Sequence, residues 1–147
     1  MEFKELISDF STRHGIEDLA AEDNTASIDV DGIAISFVTD GDVLSAIAEI
    51  GEPPAEGKAD FADLLLAANF SAETIFAKIQ ESSTYVLIHR LPLARLDGAT
   101  FDKALEELVN QAETWRNLLA EFRPAAEAAA AAKTETPSFD ATGFLRV

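Results

Sequence analysis

Seven consecutive residues, Leu64-Leu-Leu-Ala-Ala-Asn-Phe70, include one polar side chain. Asp60 stands just upstream as an N-cap type, which predicts a short helix from Phe61 to Asn69. Leu64, Leu65, Leu66 and Ala68 point to nearly every side of such a helix. A short helix that is apolar all round cannot lie on a wet surface; it must be covered on two sides. Any fold for this chain therefore needs a layer beneath this helix and a second cover beyond it.

The layer beneath is written in alternating patterns. Ala26, Ile28 and Val30 alternate with polar residues, Asp31-Gly32 is a two-residue hairpin signal, and Ile33, Ile35 and Phe37 continue on a return strand. Asp40-Gly41 marks a second turn. Val43 to Ile50 reads as a third strand, although Ala46, Ala48 and Glu49 also tolerate helix. Residues 73–80 and 84–91 form a second hairpin pattern across Glu81-Ser-Ser83, closed by Pro92. Its strands carry large apolar residues on both faces: Ile75 and Ile79 against Phe76, then Val86 and Ile88 against Tyr85 and Leu87. A sheet covered on one side only does not need this.

Two more helices frame these strands. Phe3, Leu6, Ile7 and Phe10 recur at helical spacing, and Gly15 supplies a C-terminal stop, so residues 2–14 read as an amphipathic helix. This helix is expected to cover one face of the three-strand meander. Phe101, Leu105, Leu108, Val109, Ala112, Trp115, Leu119 and Phe122 form a stripe on a final long helix, for which Thr100 is the expected cap. Gly51 to Gly57, with Pro53 and Pro54, is a loop. The predicted order is α-β-β-β-α-β-β-α, an α+β sandwich with helices packed on a twisted antiparallel sheet over residues 1–122. Residues 123–147 read as a separate tail. Ala125 to Ala132 is alanine-rich, Lys133 to Ser138 is polar, and Phe139, Phe144, Leu145 and Val147 restore an apolar patch.

Charge and composition limit the chemistry. The 147 residues carry 11 Lys plus Arg against 27 Asp plus Glu, a formal charge of −16. The tail from Arg123 is neutral, so the whole excess belongs to residues 1–122. Such a surface repels phosphate backbones and anionic lipid, which argues against nucleic acid and membrane surfaces and for a basic or amphipathic protein partner. No apolar stretch is long enough for a membrane span, and Met1-Glu-Phe-Lys lacks the basic and apolar regions of a signal peptide. Without cysteine there is no disulfide or thiolate metal site.

No catalytic constellation emerges. Asp29-x-Asp31-Gly32 and Asp40-Gly-Asp42 lack the ligand offsets and closing Glu of a calcium loop, and read as turn acids. His14 and His89 have no partner at metal-ligand spacing; His14 suits the negative end of the first helix. Nucleophile elbows, phosphate loops and dinucleotide fingerprints are absent from the sequence. No cofactor, metal or catalytic residue is expected. What remains is apolar surface in excess of one small core, and isologous pairing of two copies is the commonest way to bury it.

Four segments in order resemble the Tir-chaperone (CesT-like) family of type III secretion chaperones: Phe3-x-x-Leu6-Ile7-x-x-Phe10, Asp31-Gly32, Leu64-Leu-x-Ala-Ala-Asn69 and Ala112-x-x-Trp115-x-x-x-Leu119. The resemblance spans about residues 1–122 and implies a cytoplasmic, non-catalytic homodimer. Carried over from that family, Leu65, Ala68, Asn69, Phe70 and Phe76 are the expected dimer interface. The expected cargo is an effector whose unfolded N-terminal segment wraps around the chaperone in extended form and adds edge strands to the sheet. Leu6, Phe10, Ile28, Val30, Ile35 and Phe37 are then candidates for the cargo groove. The alternative is a homodimeric binding or regulatory module of the same fold unconnected with export; a small hydrolase is a third reading without a motif. The tail is longer than the family's usual ending. Its apolar patch either occupies a cargo groove as a placeholder or is a frayed end.

Overall fold

The computed structural model describes residues 2–70 and 73–123. Helix α1 (Phe3–His14) ends at Gly15, whose φ of 64° places it in the left-handed region. Glycine carries no Cβ penalty there. Three strands follow, β1 (Thr25–Val30), β2 (Ile33–Asp40) and β3 (Val43–Gly51), then α2 (Lys58–Asn69), β4 (Ile75–Ile79), β5 (Thr84–Pro92), a short 3₁₀ turn and α3 (Gly98–Ala120). The β1–β2 turn has positive φ at both Asp31 (53°) and Gly32 (84°). That geometry matches the right-handed twist of a hairpin. Asp29 accepts a hydrogen bond from the Gly32 amide at 2.9 Å, the turn role expected of it.

The strands form one open antiparallel sheet in the order β1-β2-β3-β5-β4. Its central pairing, β3 with β5, joins the two hairpins, with Ala46 opposite His89 and Ala48 opposite Leu87. A register shift between Glu49 and Gly51 bends this pairing. A Cβ on Gly51 would stand 3.0 Å from Leu119, so the bend is where α3 approaches closely. The third strand is a strand despite its alanines. Tertiary pairing on both sides overrides propensity there, and the small side chains admit α3, which crosses β2, β3 and β5.

The core lies between the sheet and its helices. Leu6, Ile35, Phe37, Leu44, Ala48, Phe61, Leu87, Leu108 and Ala112 are completely enclosed. Two aromatic groups anchor its ends, in the edge-on and tilted arrangements that ring quadrupoles favour. At one, Phe101 of α3 packs edge-on against Phe10 (5.3 Å between ring centroids) and beside Phe37 (5.5 Å). At the other, Phe61 of α2 meets Phe122 at 5.0 Å and Tyr85 at 5.6 Å, while Trp115 stands edge-on to Phe76 at 4.6 Å.

Several expectations are corrected. Helix α2 starts at Lys58, three residues before the expected Phe61, with Gly57 in the left-handed conformation at its N-cap. The cap of α3 is Asp97, which accepts from the Thr100 amide at 2.8 Å. Thr100 is the residue being capped, one of the first-turn donors that a side-chain oxygen satisfies. Strand β4 is shorter than residues 73–80. α1 packs chiefly against α3, and it is α3 that lies across the meander. The tail expected from residue 123 lies outside the described residues apart from Arg123.

Candidate functional site

The apolar excess surfaces around α2 and β4. α2 buries only Phe61 and Leu65. Leu66 is 67% exposed and Phe70 86%, with Leu64 also open to solvent. Among the described residues, the two-sided cover expected from the sequence is thus present on one side only. Around the edge of the sheet the same pattern continues: Ile75 and Ile79 are exposed on the face away from the helices, where Ile75 lies opposite Ile88 and Ala77 opposite Val86. Apolar surface therefore runs from α2 around β4 onto the outer sheet face.

Between α2 and β4 it forms a groove of about 520 Å³. Leu65, Leu66, Ala62 and Phe76 supply its apolar wall, Tyr85 its end, and Lys58 and Lys78 stand at its rim. Burial pushes the Tyr85 phenol above its ordinary pKa. Asn69 holds the groove together. Its side-chain amide donates to the Phe76 carbonyl (3.2 Å) and its carbonyl accepts from the Phe76 amide (2.7 Å). These are the bonds a sixth strand would make, so Asn69 blocks pairing at that point of the β4 edge. Thr74, buried just before β4, donates to Gln111 of α3 at 2.7 Å and pins the entry to the strand.

Of the residues expected at a dimer interface, Leu65, Asn69 and Phe76 line this groove, Ala68 is half-buried against the core, and Phe70 projects beyond the helix end. Leu66, Ile75 and Ile79 belong to the same exposed apolar surface. The unbroken Leu64-Leu65-Leu66 run was the available signal for Leu66, because three adjacent residues on a helix cannot all face one core.

A second groove, about 420 Å³, lies between α1, the β1–β2 turn and α3. Its floor is Phe10, Val30, Leu105 and Val109, and its mouth carries His14, Asp31, Asp102, Glu106 and Asn110. The six groove candidates separate here. Phe10 and Val30 meet in this groove, and Ile28 is half-buried nearby along β1. Leu6, Ile35 and Phe37 are fully enclosed core. Alternation identifies which face of a strand is apolar but cannot tell a groove floor from a covered core.

Ion pairing at the mouth is uneven. Arg13 bonds both oxygens of Asp102, one at 3.0 Å, and reaches Asp9 at 2.7 Å. His14 adds a contact to Asp102 at 3.1 Å. The Arg13 bonds hold the Asp102 carboxyl below the usual carboxylate range and raise the guanidinium pKa further. A Cβ on Gly98 would fall 2.8 Å from the Asp9 carboxylate and 2.9 Å from the Arg13 guanidinium, so a side chain there would have to displace the ends of this cluster. Asp31 and Glu106 have no ion-pair or hydrogen-bond partner among the described residues. His89 faces inward from β5 with its Nδ1 buried and without a partner among the described residues, a structural position away from both grooves.

Comparisons with known proteins agree with this architecture. The family model for the Tir chaperone protein (CesT) family matches residues 5–116. None of the curated proteins compared with the chain matches it. Among solved structures, the ExsC–ExsE complex superposes with a TM-score of 0.70 at 20% identity, over 86% of this chain and 99% of that one. The HopA1–SchA chaperone–effector complex gives 0.66 at 19% identity, over 78% and 93%. The Yersinia pestis type III secretion chaperone SycH, in complex with a stable fragment of YscM2, gives 0.62 at 18% identity, over 78% and 99%. At these identities the likeness establishes a shared fold.

Proposed function

Because the chain belongs to the Tir chaperone protein (CesT) family, we propose that it is a non-catalytic, cytoplasmic chaperone of type III secretion that holds the N-terminal segment of a secreted effector extended and ready for export. The family match carries this reading, and the two grooves give it a physical form. Two copies meet through α2 and β4, where Leu65, Ala68, Asn69, Phe70 and Phe76, joined by Leu66, bury the apolar surface that one chain leaves open. Cargo lies along the other end of the molecule. An extended segment pairs with the open β1 edge and sets apolar side chains toward Phe10, Ile28 and Val30. Leu6, Ile35 and Phe37 support that surface from within.

No bond is made or broken in this activity. The work is an equilibrium between a bound, extended segment and its collapsed or folded forms. The charge of −16 speeds encounter with basic segments. It also keeps an apolar-surfaced dimer dispersed. Among the described residues no helix is long and apolar enough to cross a membrane. Residues 1–122 carry this function.

Co-expression with secreted proteins encoded by the same host tests the reading. The expected product is a complex in which protease digestion of the partner leaves a short N-terminal segment protected on two copies of this chain. A partner held through a folded domain, with its N-terminus cleaved freely, overturns export and favours a regulatory module of the same fold.

A further inference from the structure

Both edges of the sheet are stopped by the chain's own groups, and the two stops differ in what they leave open. Before β1 the chain doubles back. The Glu22 amide donates to the Thr25 carbonyl at 2.8 Å, and the Glu22 carbonyl accepts from the Thr25 amide at 2.9 Å. These Thr25 groups therefore point away from β2. Backbone groups of an antiparallel strand alternate sides. Those of Ser27 and Asp29 thus point the same way as those of Thr25, and they have no partner among the described residues. At the other edge Asn69 takes the outward groups of Phe76, which leaves only Lys78 outward in the five-residue β4. The acidic groove beside Glu2, Glu5 and Asp42 offers no strand edge, because β2 and β3 are each paired on both sides.

The window at Ser27 and Asp29 selects its occupant first by backbone: an extended segment that bonds both residues and stops at Glu22. Side chains follow from the pleat. Ile28 and Val30 are half-buried on the helix side, Val30 at the α1–α3 groove, so apolar residues fit opposite them. Ser27 and Asp29 are exposed on the other face. Asp29 gives one carboxylate oxygen to the Gly32 amide, and the other has no partner among the described residues. A cation fits opposite Asp29, and a hydroxyl opposite Ser27. Asp18, in the cleft that adjoins Ser27, adds to the negative field. We propose that β1 reads an antiparallel partner segment in the order apolar, Lys or Arg, apolar, Ser or Thr, opposite Val30, Asp29, Ile28 and Ser27, with Glu22 fixing the register. That the partner is a secretion cargo rests on the chaperone reading; the window and its pattern do not.

The test is a magnetic-resonance titration of the isotope-labelled full-length protein with a blocked peptide, Val-Arg-Val-Thr flanked by Gly-Ser-Gly at both ends. The Ser27 and Asp29 amides are expected to shift and to gain protection from exchange, while the Thr25 and Phe76 amides stay unchanged. Backbone N-methylation at Arg and Thr, whose amides face β1, should weaken binding at least about tenfold, against about twofold or less at the two Val. Arg replaced by Glu in the peptide should also bind more weakly. Asp29→Asn, which keeps the acceptor for Gly32, should cut that Arg preference about threefold. Lengthening the peptide to Val-Arg-Val-Thr-Val-Thr should gain no more than about twofold, because Glu22 already holds Thr25. No shift at Ser27 and Asp29 at about 5 mM peptide overturns the proposal. So does equal loss from both sets of methylation, an Arg preference untouched by Asp29→Asn, or a large gain on lengthening with Thr25 shifted. Only this chain and synthetic peptides are used. A bound peptide without effector co-purification sinks the chaperone reading and spares the window; the reverse result sinks the window alone.

Discussion

α1 and α2 are both twelve residues long and end in opposite conditions. In α1, Phe3, Leu6, Ile7 and Phe10 follow the helical repeat and all reach the core, leaving a polar face to water. In α2 the leucines are consecutive; Phe61 and Leu65 are buried, while Leu64, Leu66 and Phe70 face outward. The first helix is finished by its own chain. The second is covered on one side only among the described residues, and we propose an interface for the other. Spacing of apolar residues, more than their number, separates a helix that buries its whole apolar stripe from one that leaves apolar side chains in solvent.

The sharpest challenge to this contrast is Phe61→Ala. Phe61 is the fully enclosed anchor of α2. Its loss is expected to cost about 3–5 kcal/mol in urea unfolding, comparable with about 2–5 kcal/mol for Leu6→Ala in α1. A cost under about 1 kcal/mol would show that α2 is not anchored in the protomer core. Leu66→Glu should behave differently. Protomer stability should move by no more than about 0.5 kcal/mol, while self-association weakens by at least about 2 kcal/mol, roughly thirtyfold. Sedimentation equilibrium would then show the mass falling from twice the chain value of 15.8 kDa to that value. An unchanged association constant would remove Leu66 from the interface.

Asn69→Ala probes the junction of α2 and β4. It strands the Phe76 amide and carbonyl, with an expected cost of about 1–3 kcal/mol. Hydrogen exchange should accelerate at Phe76 and leave α1 amides unchanged. The smallest effect is expected at the α1–α3 cluster. Asp102 has its folded-state pKa lowered, first by the Arg13 hydrogen bond and then by His14, with Asp9 sharing the same guanidinium. Its contribution is therefore fully present above the unfolded carboxylate value near about 4 and is lost as pH falls through the lower folded value. Asp102→Asn should flatten that part of the acid unfolding curve without altering stability slopes above about pH 5.

Much of the fold was legible locally. The α1 stripe, the Gly15 stop, the Asp31-Gly32 turn and the strand end at Pro92 each depend on a few adjacent residues, and each is found. Helix starts were less legible. Asp97 and Thr100 are both capping types three residues apart. Near that start, Gly98 stands beside the side chains of Asp9 and Arg13 from α1, a proximity no local window contains. The β3–β5 pairing that merges two hairpins into one sheet is likewise a long-range fact.

The chain's own pattern settled which segments become helix or strand, in what order, and that apolar side chains outnumber the places one core offers. Only the folded arrangement decided where the excess emerges. It enclosed Leu6, Ile35 and Phe37, left Ile28 and Val30 half open, and turned Leu66 and Phe70 to solvent. The reason is geometric: periodicity records which side of an element a residue occupies, whereas burial depends on what stands opposite that side.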